Sequence, residues 1–171
     1  MAETGCVNRG RSVTRLVVWQ STGKVVRAMR YEELTGQIQA RAGLPDSQSA
    51  ERALRATLET LAERIPDGVA DHLAAQLPHE AAESLRRVVA VHEASPLHRE
   101  ESRERGERFD LIAFTGRVAW RAEASEEEAI QQATAVLEVL DAAVAPELMN
   151  KLSNVLPQDI RALLPSARGG D

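Results

Sequence analysis

The sequence predicts an all-α protein built as two tandem, sequence-related helical bundles of about four helices each, in a pseudo-two-fold arrangement. Three observations lead there. The apolar residues are mostly Ala, Leu and Val, with aromatics at only 3%, a mixture that favours helix. Apolar positions recur at i, i+3, i+4 and i+7. One pattern appears twice along the chain, and a period of this kind organises a fold before any local reading does.

The second copy follows the first at a constant offset. Leu58-Glu59-Thr60-Leu61 returns as Leu137-Glu138-Val139-Leu140, and Leu77-Pro78 returns as Leu156-Pro157, both 79 residues on. Upstream, an offset of 80 pairs Leu34 with Phe114, Ile38 with Val118, Arg41 with Arg121 and Ala42 with Ala122. The copies run from about residue 31 to 91 and from about 109 to 165. The domain boundaries that follow are 1–28 for an N-terminal extension, 29–95 for the first copy, 96–108 for a charged linker and 109–171 for the second copy with a short tail.

Each element has its own warrant. The first helix carries Leu34 and Ile38, or Phe114 and Val118 in the second copy. The next is the clearest, since Ala50, Ala53, Leu54, Thr57, Leu58, Leu61, Ala62 and Ile65 trace one helical face. Its counterpart opens with Ser125-Glu126-Glu127-Glu128, a capping box in which Ser125 and Glu128 satisfy each other's end of the helix start. After a turn at Pro66-Asp67-Gly68 or Pro146, a short helix carries Val69, Leu73 and Leu77, matched by Leu148, Leu152 and Leu156. Pro78 and Pro157 then open the last helix of each copy, with Glu80 and Asp159 in the first turn, where negative charge suits the helix dipole. The nearly all-charged connector from Leu97 to Arg108 reads as a solvated segment.

Residues 1–28 have no counterpart in the second copy. They contain a short strand-like run, Thr14-Arg15-Leu16-Val17-Val18-Trp19, and are basic: residues 1–30 hold six Lys or Arg against one Glu, which leaves the remainder at −10. Met29, directly before the first copy, reads as a natural start, with a basic arm contacting an acidic partner as the alternative. The acidic body repels a phosphate backbone, so nucleic-acid binding would fall to that arm. One cysteine, Cys6, gives no disulfide framework, and no apolar run spans a bilayer. A cytoplasmic protein without membrane or cofactor is expected.

Met29-Arg30-Tyr31-Glu32-Glu33-Leu34, Arg41-Ala42-Gly43-Leu44-Pro45-Asp46, the Ala50 to Glu63 helix and Gln76-Leu77-Pro78 together resemble a bacterial family known as domain of unknown function 2267. The second copy carries the resemblance through Gly106-Glu107-Arg108-Phe109-Asp110, Val136 to Leu140 and Leu156-Pro157-Gln158-Asp159. The resemblance implies a helical tandem unit in a cytoplasmic bacterial protein, and no catalytic residue.

Chemistry-bearing patterns are sparse. His79-Glu80-Ala81-Ala82-Glu83 lacks the second histidine of a zinc-protease helix, leaving His72, His79 and Glu83 as weak metal candidates. None of His72, His79, His92 or His98 has the Glu three positions earlier that a di-iron bundle requires. The helix from Leu111 to Ala122 is apolar on two sides: Leu111, Phe114 and Val118 form one, and Ile112, Ala119 and Trp120 lie around the other. A second apolar side packs against the first copy or makes an interface, for which a Trp is a typical anchor. The reading favoured is a non-enzymatic module that binds a protein partner or itself as a homodimer, with Ile112, Ala119 and Trp120 as contacts. A metal-dependent protein using His72, His79 and Glu83, and a regulator with a nucleic-acid-contacting arm, are the alternatives.

Overall fold

The computed structural model describes residues 29–95, 100 and 104–165; the reading of residues 1–28 lies outside them. Among the described residues there are helices and no strands. The helices are α1 (Tyr31–Ala42), α2 (Ser47–Arg64), α3 (Asp67–Gln76), α4 (His79–Ala94), α5 (Leu111–Ala122), α6 (Glu126–Ala143), α7 (Pro146–Val155) and α8 (Gln158–Arg161). The first three helices of each half have matching lengths of 12, 18 and 10 residues. The fourth does not, with 16 residues in α4 against 4 in α8. No helix among the described residues is long and apolar enough to cross a membrane.

Local chemistry sets the boundaries. Asp46 caps α2 by accepting the Ser49 N–H at 2.7 Å, Asp110 caps α5 through the Ala113 N–H at 2.9 Å, and the Ser125–Glu128 capping box starts α6. These bonds hold the Asp46 and Glu128 carboxyls below their ordinary pKa. Pro146 opens α7 at its first turn, while Pro78 and Pro157 occupy the N-caps of α4 and α8. The C-terminus of α1 is left-handed at Gly43, φ +62°, and its counterpart at the end of α5 is Glu123, φ +55°.

The two bundles share one core. α2 and α6 are buried almost all round, and their small residues, such as Ala53, Ala56, Ala133 and Ala135, let neighbouring helices approach closely. α2 packs on α5 and α6 as well as on α1 and α4, and α1 packs on α6. Exchanging the halves maps most of these contacts onto one another: α1 against α6 becomes α5 against α2, α1 against α4 becomes α5 against α8, and α3 meets its own counterpart α7, while the packing of α2 on α4 has no equal on the short α8. Side chains repeat the relation. Arg41 Nη1 lies 3.5 Å from Glu138 Oε2, and Arg121 Nε lies 3.6 Å from Glu59 Oε2, the same pair with the halves exchanged. Leu77 and Leu156, both buried, enter the shared core as their Leu-Pro positions predict.

The C-terminal end of the linker is part of the folded body. Gly106, φ +68°, is buried, and the Glu107 N–H donates to the Glu63 carbonyl at 2.7 Å. A Cβ on Gly106 would stand 2.2 Å from the Arg64 carbonyl oxygen, so only glycine lets this strap cross the end of α2.

Candidate functional site

α5 is held to the body by its inner side. Phe114 and Val118 are completely buried, and Thr115, Ala119 and Ala122 are buried beside them. An ion network then locks the helix onto α2. Glu63 accepts from Arg117 at 2.7 Å and from Arg121; Arg117 also donates to Glu107 at 2.9 Å, and Arg121 donates to the Thr60 hydroxyl at 2.7 Å. Arg117 also lies over the Phe109 ring, 4.1 Å from its centroid, a cation–π contact. Partial burial pulls the Arg117 pKa down, but its bonds to Glu63 and Glu107 outweigh this and raise it above the ordinary value.

With that side fixed, the opposite side of α5 faces outward. Ile112, Gly116 and Trp120 are spaced four residues apart and share one stripe. Ile112 is 76% and Trp120 81% exposed, which makes them the two most exposed large apolar side chains among the described residues. Gly116 sits between them, and a Cβ added there would meet nothing within 4 Å. A mid-helix glycine costs about 0.5–1 kcal/mol relative to alanine. No close packing inside the described chain compensates for that cost. The stripe is therefore a notch of one missing side chain between two apolar projections. At the equivalent places α1 has Glu32, Gly36 and Ala40, the same notch without the projections.

The contact set expected from sequence is corrected at one member. Ala119 is 7% exposed and belongs to the packed side of α5, because one position from Trp120 is a rotation of about 100° on a helix. Gly116 takes its place on the outer stripe. Its signal was present in the sequence as a poor helix former centred between Ile112 and Trp120.

The metal candidates are separated. His79 Nε2 lies 3.4 Å from Glu83 Oε1 on the exposed side of α4, and His72 stands apart from them on α3, its Nδ1 3.4 Å from the Lys151 ammonium of α7. A lysine ammonium beside that nitrogen opposes a cation there. Among the described residues no three His, Cys, Asp or Glu side chains gather as a metal site. His92 is buried, with Nδ1 2.9 Å from Asp67 Oδ1.

An open groove of about 620 Å³ runs between the end of α2, the strap and α8, lined by Arg64, Pro66, Arg108, Phe109, Pro157 and Asp159 among others. Two of its carboxylates are structural. Asp159 accepts the Leu111 N–H at 2.8 Å, which holds its carboxyl below the ordinary range, and Asp110 is the α5 cap. Arg64 donates from Nε to the Phe109 carbonyl, and partial burial lowers its pKa.

The sequence profile of the family described as uncharacterized conserved protein (DUF2267) matches residues 31–163, from the first turn of α1 to just beyond α8. The chain belongs to this family. The DUF2267 match takes in both halves, the strap and the outer stripe of α5, and leaves residues 1–30 outside. A comparison with curated proteins finds no match.

Proposed function

We propose that this DUF2267 protein is a non-enzymatic protein-association module, and that it binds through the outer stripe of α5. One observation carries the reading: Trp120 and Ile112 stand free on either side of Gly116, on a helix whose other side is locked by the Glu63 network. A rigid support and a projecting aromatic are what an interface anchor needs, because little side-chain order remains to be paid on binding. The sequence composition supports a bacterial cytoplasmic setting, with a single cysteine and Ala- and Arg-rich usage. Neither alternative gains a specific observation: Lys151 stands beside His72, and the basic arm lies outside the described residues.

The test is a photo-crosslinking residue at position 120 in producing cells, with exposed Arg86 as the control position. Covalent adducts to a polypeptide from position 120 and not from 86 are expected. Equal yields, or no adduct at 120, would refute the reading.

A further inference from the structure

We infer that the partner of the α5 stripe is a second copy of this chain, docked antiparallel about a two-fold axis that crosses the outer stripe midway between Gly116 and Trp120; the inference rests on the association role proposed above. An antiparallel pair of α5 helices centred midway between residues 116 and 120 sets Trp120 of one copy opposite Gly116 of the other, with Ile112 towards the C-terminal end of the partner helix. Projection and notch are about 6 Å apart on the same helix, one turn, so a single two-fold operation fills both notches at once. This is the self-complementarity that an isologous interface requires.

Charge selects the same arrangement. Beyond the N-terminal end of the stripe the exposed charges are mixed, Glu104, Arg105, Arg108 and Asp110, and beyond its C-terminal end they are all acidic, Glu123, Glu126, Glu127 and Glu128. An antiparallel pair brings the end that holds Arg105 and Arg108 towards the all-acidic end of the other copy, with Arg108 and Glu127 as the pair to test, whereas a parallel pair would set the two all-acidic ends together. The ends are needed for size as well. A 12-residue helix is about 18 Å long and about 10 Å wide, too small alone for the roughly 1,000 Å² that a specific interface buries. The first turn of α6 and the strap must contribute, and they carry these charges.

Sedimentation velocity of the full chain over a concentration series tests this. A concentration-dependent dimer is expected, weakened by at least about tenfold in Trp120→Ala. Arg108→Glu alone and Glu127→Arg alone should each weaken it, and the double variant Arg108→Glu/Glu127→Arg should restore it, because each interface then regains two opposite-charge pairs. These are exposed positions, and thermal unfolding of each variant verifies that the fold is intact. A monomer at every concentration overturns the inference, as does a dimer indifferent to these substitutions. Growth beyond the dimer also overturns it, since that requires a head-to-tail contact such as Trp120 on the Gly36 notch of the next copy. If position 120 crosslinks only to a different polypeptide, the association role stands and the self-pairing fails.

Discussion

Gly106 lies over the Arg64 carbonyl so closely that a β-carbon on it would stand 2.2 Å from the oxygen. The contact is backbone on backbone, so neither side can rotate away. Gly106→Ala adds this clash to the cost of about 1–3 kcal/mol for a left-handed non-glycine residue, and a loss of more than about 3 kcal/mol in urea unfolding is expected. Gly43→Ala, with a similar φ and open space around it, should lose only the conformational part.

Glu123 makes the opposite prediction. It is the one non-glycine residue with positive φ among the described residues, at a place where the first half has Gly43. Its exposed ion pair with Arg52, 3.4 Å, is worth little. Glu123→Gly should raise stability by about 0.5–1 kcal/mol, because relief of the left-handed strain exceeds the added chain entropy. A lower urea midpoint would show that the Arg52 contact matters more than the backbone.

Gly36 and Gly116 can be filled without a clash. Gly36→Ala and Gly116→Ala should each stabilise the folded chain by about 0.5–1 kcal/mol, measured by thermal unfolding. Only Gly116→Ala should also weaken association, since only that notch receives an anchor. A loss of stability in both would mean that the open space is not available to a methyl group.

Asp67 and His92 are buried partners joining the start of α3 to the end of α4. Removing one leaves the other desolvated and unsatisfied, so Asp67→Ala should cost about 3 kcal/mol in urea unfolding. Asp67→Asn keeps an acceptor and should cost less; equal losses would locate the effect in packing.

Asp159 predicts the acid response. Its folded pKa is depressed by the Leu111 N–H, so its contribution is present above the unfolded carboxylate pKa and is lost as pH falls through the folded value. Stability should therefore decline below about pH 4, with Asp46 and Glu128 contributing in the same direction. Asp159→Asn should flatten that decline, read from thermal midpoints between neutral and acid pH. An unchanged slope would remove Asp159 as a source.

Much of the fold is legible in the chain because its determinants are local. The apolar face from Ala50 to Ile65, the Ser125–Glu128 box and the prolines at 78, 146 and 157 act within a turn or two, and each lies where its chemistry requires. What sequence reading missed depends on residues far apart. Gly106 sits in a run of charges that reads as solvent-exposed, and its constraint is imposed by Arg64, 42 positions earlier. Asp67 reads as a turn residue until His92 is brought beside it. The outer stripe was half visible: periodicity gave α5 two apolar sides, but which side Ala119 joins depends on how α2 meets the helix.

The exchange of contacts between halves also bears on synthesis. α1 packs on α6, so the inward surfaces of α1 and α2 have no complete cover until the chain has been made through about residue 143. A nascent chain halted at the linker would present Leu34, Ile38 and the far side of α2 to solvent. Complete burial of α1 and α2 thus waits on both halves, which, though alike, are covered by one another rather than each by itself.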